Sequence, residues 1–137
     1  MDFECLTGGL SHANRTIYSG SKLTFNTENI FIDAKSNGGG ITTNKTINLT
    51  NFKNIKARGI TTEIDNDDSR GRILSVTKTN KWRSTWYPES NITYIDSKLE
   101  TKETTLEIDI SSLNDSYYII NGFNQSKGNI YEIWLEK

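Results

Sequence analysis

The chain has 137 residues, with 16 basic and 17 acidic side chains and a formal net charge of −1 at pH 7. This length is enough for one domain with its own hydrophobic core, and we expect residues 1–137 to form one. The near balance of charge excludes a general basic field for nucleic acid or an anionic membrane. The single cysteine, Cys5, excludes an internal disulfide and a metal cluster built on cysteines. No apolar run approaches the roughly 20 residues of a membrane span, and residues 1–10 do not have the pattern of a signal peptide.

In chain order, short runs rich in β-branched and aromatic residues alternate with polar turns, which predicts β-strands. Residues 7–21 and the glycine-rich residues 36–40 are expected to be loops, the second a flexible break. Apolar residues do not recur at helical spacing for more than about two turns. The runs recur about every 8 to 14 residues, which is typical of an all-β sandwich or barrel. The first eight predicted strands are residues 2–6, 23–25, 30–32, 41–43, 47–49, 55–64, 72–79 and 92–95.

The last third of the chain carries the clearest strand pattern. Leu106, Ile108 and Ile110 alternate with acidic residues, as in a strand with one buried face. Residues 117–120 form a short aromatic and β-branched run that suits a buried strand. Residues 121–129 are polar, contain two glycines and are expected to form a loop.

The final predicted strand, residues 130–135, is apolar on one face and mixed on the other. Strict alternation places Ile130 and Trp134 on one face, and Ile133 and Leu135 on the opposite face. We therefore expect this strand to lie centrally in its sheet, with Trp134 in the core. A chain that ends on a finished strand suits the C-terminal domain of a longer protein.

Several segments resemble those of a known group of modules. Ile47-Asn-Leu-Thr-Asn-Phe-Lys-Asn-Ile, the strand–turn–strand at 106–119 and the final strand resemble the corresponding parts of galactose-binding-like jelly rolls. Together with Cys5-Leu-Thr-Gly-Gly, the pattern is similar to small β-sandwich modules of phage and prophage tail proteins from low-GC Gram-positive bacteria. The resemblance implies a jelly roll and an adhesive role. It transfers no site residue, because ligand loops vary freely in such folds.

A tryptophan-rich segment gives the strongest indication of a ligand site. If the segment is extended, Trp82 and Trp86 share one face, and Arg83 and Tyr87 share the other. Two exposed indoles roughly 13 Å apart could stack on two sugar rings. Arg83 or Asn80 would then donate hydrogen bonds to the sugar. Both indoles could instead belong to the core, since tryptophan is highly buried on average.

A turn with three aspartates is the main candidate for a metal site, and Asp33 with the following loop is a second one. Asp65, Asp67 and Asp68 supply carboxylate oxygens, and calcium is bound by about six to eight oxygen atoms. A structural calcium ion is one interpretation, a solvated turn is the other, and no further cofactor is expected. His12 is the only histidine and lies in a predicted loop, and its adjacency to Ser11 in the sequence is no evidence for the geometry of a catalytic triad. We therefore expect no enzyme activity.

These observations predict a non-catalytic binding module, built as an antiparallel β-sandwich of the jelly-roll type with about eight to ten strands. The expected partner is a bacterial cell-surface glycan or another subunit of a phage particle, without nucleic acid binding or membrane insertion. The expected location is a virion, a phage-tail-like particle or an extracellular surface. The alternative is a structural or oligomerisation appendage with no small ligand, and the sequence leaves the oligomeric state open. The expected contacts to a ligand are made by Asn80, Trp82, Arg83, Trp86 and Tyr87.

Overall fold

The described part of the chain consists of strands joined by turns and irregular segments. The computed structural model describes residues 3–7, 10–12, 22–25, 29–34, 38–43, 45–64, 71–79 and 92–137. None of these residues belongs to a helix with the length and hydrophobicity that a membrane crossing needs. They form twelve strands: β1 (Phe3–Thr7), β2 (Leu10–His12), β3 (Lys22–Phe25), β4 (Ile30–Asp33), β5 (Gly38–Thr43), β6 (Ile47–Asn48), β7 (Asn54–Ile64), β8 (Gly71–Thr77), β9 (Ile92–Asp96), β10 (Thr104–Asp109), β11 (Ser116–Asn124) and β12 (Ser126–Glu136).

The strands form two sheets in which the described neighbours pair antiparallel. The first sheet has the order β2-β1-β5-β11-β8-β9, and β6 pairs with the start of β11. The second has the order β10-β7-β12-β4-β3. The protein is therefore all-β, with two antiparallel sheets in a sandwich-like arrangement. The predicted all-β class is confirmed, and so is the central position of the last strand, because β12 lies between β7 and β4.

The hydrophobic core lies between the facing surfaces of the two sheets. In one cluster, Leu74 and Ile119 of the first sheet pack with Ile55 and Leu106 of the second. Full burial of an aliphatic side chain stabilises the fold by about 1.5–3 kcal/mol, so these contacts hold the sheets together. A second cluster consists of Ile32, Ala34, Ile41, Phe123 and Ile130, which belong to β4 and its end, β5, β11 and β12.

The alternating residues of β10 face the core and the solvent as predicted. Leu106 and Ile108 are 3% and 5% exposed, whereas Glu107 and Asp109 are exposed. The carboxylate of Asp109 accepts a hydrogen bond of 2.6 Å from the hydroxyl of Ser111. That bond, with a second from the Ser111 N–H, lowers the pKa of Asp109. These carboxylates are therefore solvated groups on an outer sheet face.

Glycines placed in predicted loops lie inside strands instead. Gly38 begins β5, so the predicted flexible break at 36–40 is wrong for residues 38–40. The predicted loop at 121–129 is also wrong, because β11 and β12 run through it and are joined by Gln125 alone, with φ of 44°. Gly40 and Gly122 are cross-strand partners, and a Cβ on Gly40 would lie 2.6 Å from the Gly122 Cα. These two glycines are required by close approach of the backbones.

One further loop prediction differs from the structure. Residues 10–12 form β2 within the predicted loop 7–21, so His12 lies at a strand end and its Cα pairs with that of Cys5. Polar and glycine-rich sequence is a signal for turns only on average. In the first sheet such residues instead continue the hydrogen-bonded ladder.

A β-bulge in the last strand changes which residues face the core. Ile130 pairs with Gly59, and Glu132 pairs with the adjacent residue Arg58. Tyr131 therefore has no partner in β7 and is the extra residue of the bulge. Ile130 is only 3% exposed, and Ile133 packs on the same side against the core. Trp134 pairs with the outward-facing Lys56 and is half-buried. The predicted alternation across the whole strand and the core assignment of Trp134 are therefore wrong.

Candidate functional site

The residues predicted to contact a ligand or a metal lie outside the described part of the chain. They follow the end of β8 or precede its start, and their roles stay predictions. These residues are Asn80, Trp82, Arg83, Trp86 and Tyr87 for the ligand and Asp65, Asp67 and Asp68 for calcium.

A cleft is present at the open edge of the sandwich. There β9 ends the first sheet and β10 ends the second, and residues 97–103 cross from one sheet to the other. The cleft has a volume of about 320 Å³. Tyr94 pairs with the core residue Leu74, and Asp96 pairs with Arg72. Because cross-strand partners share a face, Tyr94 and Asp96 lie on the side of β9 that faces the cleft.

Two exposed hydrophobic side chains line this cleft. Tyr94 is 45% exposed and Leu99 is 60% exposed, and they are the large hydrophobic residues that stand out as exposed in the described ranges. A single exposed hydrophobic residue needs no explanation, but two in one concave site indicate a contact surface. Tyr94 lies in the predicted strand 92–95 and Leu99 lies between predicted strands, and neither residue was predicted to contact a ligand.

A buried ion pair adjoins the cleft through Glu100, which is one of the residues that line it. The side chain of Arg72 is fully buried and reaches between the sheets from β8. Its Nη2 lies 3.2 Å from the Oε1 of Glu100, and it donates to the hydroxyl of Thr104 at 2.8 Å. Its Nη1 donates to the carbonyl oxygen of Ala57 at 3.3 Å. Desolvation lowers the pKa of Arg72, and Glu100 opposes that effect.

Glu100 ties the crossing segment to the second sheet. Its Oε2 accepts a hydrogen bond of 2.8 Å from the N–H of Thr61, and its own N–H donates to the Thr61 carbonyl at 3.2 Å. Its Oε1 also accepts a hydrogen bond from the hydroxyl of Thr104. Both carboxylate oxygens are therefore engaged in holding the segment, and only about 5% of the side chain is exposed. Glu100 positions the wall of the cleft and does not face a ligand.

Polar groups complete the rim of the cleft. Asp96 accepts a hydrogen bond from the N–H of Lys98 at 3.1 Å, which forms a tight turn at the end of β9. Lys98, Lys102 and Thr101 are exposed and line the same cleft. The rim thus offers ammonium groups, a carboxylate and a hydroxyl beside an aromatic ring, which is the chemistry of a polar ligand with one apolar face.

The described residues do not assemble a metal site. No group of three or more His, Cys, Asp or Glu side chains within the described ranges could hold an ion. Along the cleft, the carboxylate of Glu100 is committed to Arg72 and that of Asp96 to the turn at Lys98.

Comparison with known proteins does not assign this chain to a family. No protein-family model matches this sequence. A search of curated proteins likewise finds no significant match.

Proposed function

We propose that this domain is a non-catalytic binding module that recognises a cell-surface glycan, and that the cleft between β9 and β10 is its binding site. The observation that supports the proposal is the exposure of Tyr94 and Leu99 in one cleft surrounded by hydrogen-bonding groups. The ring of a tyrosine offers apolar contact area together with a polar hydroxyl. A pyranose has a matching surface, with an apolar face and a rim of hydroxyl groups.

The size and position of the cleft agree with this class of ligand. Its volume of about 320 Å³ is at the lower end of the range of about 300–1,000 Å³ for small-molecule sites, which suits one or two sugar units. The connection that contains Trp82 and Trp86 leads directly into β9 in the sequence. We propose that these tryptophans extend the contact with a longer glycan. Binding at each site would be weak and would be strengthened by several copies on one particle.

A jelly-roll topology is also proposed, and the strand orders support it. The order β5-β11-β8-β9 in one sheet and β10-β7-β12-β4 in the other provides four strands each. Successive strands move repeatedly from one sheet to the other, as they do in the two Greek keys of a jelly roll. With the sequence resemblance, this supports a setting in a phage or phage-tail-like particle, or on another extracellular surface.

The proposal is tested by replacing the exposed ring. The Tyr94→Ala variant should lose at least about tenfold in affinity, equivalent to about 1.4 kcal/mol, for a panel of Gram-positive cell-wall glycans and monosaccharides. Isothermal titration calorimetry measures this change. The matched control is Tyr131→Ala, because Tyr131 is a half-buried tyrosine that packs on Arg58 at the outer face of the second sheet. That control should bind normally.

The same two variants also define the result that contradicts the proposal. If Tyr94→Ala and Tyr131→Ala both bind as well as the unchanged protein, the cleft is not the site. Thermal denaturation of both variants is needed as a companion measurement. Because Tyr94 is 45% exposed, its replacement should leave the melting temperature nearly unchanged, so a loss of binding would not reflect unfolding.

A structural or oligomerisation appendage is the second candidate, and the outer face of the second sheet favours it. Trp134 and Tyr131 are half-buried there, among ion pairs made by Lys56 and Arg58. A stable interface buries about 800 Å² on each partner, which such a sheet face could provide. Sedimentation of the protein and of Trp134→Glu separates the two functions, since only an assembly held by this face would dissociate in the variant.

A further inference from the structure

We propose that the ligand of the cleft carries a negative charge, as a sugar unit with a carboxylate or phosphate group that is held by Lys98 and Lys102. This inference rests on the proposed function, because it assumes that the cleft binds a sugar. It adds the chemical class of that sugar. The two lysines are four residues apart, both are exposed, and both line the cleft with Tyr94.

The first supporting observation is the pairing of the other basic side chains near the sheets. Lys56 lies 2.9 Å from Glu136, Lys78 lies 2.7 Å from Asp115, and Lys127 is paired in the same way. The described basic side chains on the strands are thus placed beside carboxylates, whereas the exposed turn residues Lys45 and Lys53 have no ion pair within the described ranges.

Lys98 and Lys102 differ from those residues. Within the described ranges, neither ammonium group has an ion pair with a carboxylate, although Asp96 and Glu100 are close in the sequence and line the same cleft. Two unpaired cations in one concave site would attract an anion, because charge of one sign along a cleft raises the local concentration of the opposite charge.

The second observation is that the acidic side chains of the cleft already accept hydrogen bonds from the protein. Glu100 is bonded to Arg72, Thr61 and Thr104. Asp96 accepts a hydrogen bond from the turn at its end of β9 and pairs in register with Arg72. Two basic and two acidic side chains therefore line the cleft, and because the charge of Glu100 is compensated by Arg72 outside the lining, positive charge prevails at the exposed rim.

The ring and the lysines divide the recognition between them. Tyr94 contacts the apolar face of a pyranose, and the ammonium groups donate to the anionic oxygens. A lysine is a flexible point charge, so it suits either a carboxylate or a phosphate without fixing its geometry. The shared chemistry is an anionic sugar, and the experiment below separates its two sources.

The test is a titration of the full chain with glucose, glucuronate, glucose 6-phosphate and inorganic phosphate, followed by NMR up to the solubility of each compound. At least one of the anionic sugars should bind about tenfold or more tightly than glucose, a difference of about 1.4 kcal/mol. The preference should shrink between about 0.01 M and 1 M salt, as the Debye length falls from about 30 Å to about 3 Å. Glucuronate and glucose 6-phosphate show whether the carboxylate or the phosphate is preferred.

A charge-neutral variant and a matched control assign the effect to the cleft. Lys98→Gln/Lys102→Gln should remove the preference, so that the anionic sugar binds no more tightly than glucose. The control Lys45→Gln/Lys53→Gln removes two exposed lysines outside the cleft and should keep the preference.

The outcomes separate this inference from the proposed function. Equal affinities for glucose and both anionic sugars, with binding that depends on Tyr94, would overturn the inference and leave glycan binding intact. Inorganic phosphate that binds as tightly as glucose 6-phosphate would also overturn it, because the sugar would then contribute nothing. Binding of no compound would overturn the glycan proposal as well.

Discussion

Replacement of Arg72 by methionine should destabilise the fold strongly while leaving the surface unchanged. The Arg72 side chain is fully buried, and its partner Glu100 is about 5% exposed. Methionine is of similar length and fills the space between the sheets without a charge. The Glu100 carboxylate would then remain close to Thr61 and Thr104 with no cation beside it.

The magnitude follows from the cost of an unpaired buried charge. Removing one partner of a buried ion pair costs about 3–5 kcal/mol, and the total stability of a domain is about 5–15 kcal/mol. Each kcal/mol lowers the melting temperature of a domain of this size by about 4 °C. We therefore expect Arg72→Met to melt roughly 12–20 °C below the unchanged protein.

Urea denaturation of a double-mutant cycle measures this prediction. In Arg72→Met/Glu100→Gln the second substitution removes the remaining charge, while the amide keeps an oxygen for the N–H of Thr61. The double variant should recover at least half of the lost stability. The reasoning is refuted if Arg72→Met costs less than about 1 kcal/mol, or if the double variant is no more stable than the single one.

Three further predictions concern other parts of the fold. A hydrogen bond from Lys78 lowers the pKa of Asp115 below its ordinary value of 3.8. The stabilisation by the Asp115 carboxylate is therefore complete above pH 3.8 and is lost as the pH falls through the lower pKa of the folded state. Between neutral and acid pH, the melting temperature of Asp115→Asn should fall less than that of the unchanged protein. Gly122→Ala places a Cβ 2.8 Å from a neighbouring Cα and should cost at least about 1–3 kcal/mol in urea denaturation. Ile130→Ala should cost about 2–5 kcal/mol in the same assay, and Trp134→Ala should cost less than half as much because Trp134 is on the outer face.

Each of these has a contradicting result. An unchanged slope of stability against pH for Asp115→Asn would show that its ion pair with Lys78 does not persist in solution. A fully stable Gly122→Ala would mean that the two glycine backbones are further apart than described. If Trp134→Ala lost as much stability as Ile130→Ala, the indole would belong to the core, and the assignment of a bulge at Tyr131 would be wrong.

Much of the fold follows from local patterns in the sequence. The alternation at Leu106 and Ile108 correctly predicts a strand with one buried face, because side chains on a strand point alternately to its two sides. The central position of the last strand was also predictable from apolar residues on both of its faces. The bulge at Tyr131 was not predictable from the sequence. One extra residue shifts the phase of the alternation, and no distinctive residue type marks its position.

The cleft depends on contacts between distant residues, which local patterns do not show. Arg72 and Glu100 are 28 residues apart in the sequence and are brought together by the packing of the two sheets. One signal was present in the sequence: Arg72 stands in the same phase of β8 as the core residues Leu74 and Val76. An arginine in that phase indicates a buried partner, but the pattern does not say which carboxylate it is.

The central claim, that the cleft between β9 and β10 binds a sugar, is tested most directly by mapping the bound ligand on the protein. Amide NMR spectra recorded during titration with glucuronate and glucose should change at residues 94–106. The amides of Tyr131 and Trp134, on the outer face of the second sheet, should stay in place. Changes confined to that outer face, or no changes at residues 94–106 at saturation, would contradict the account.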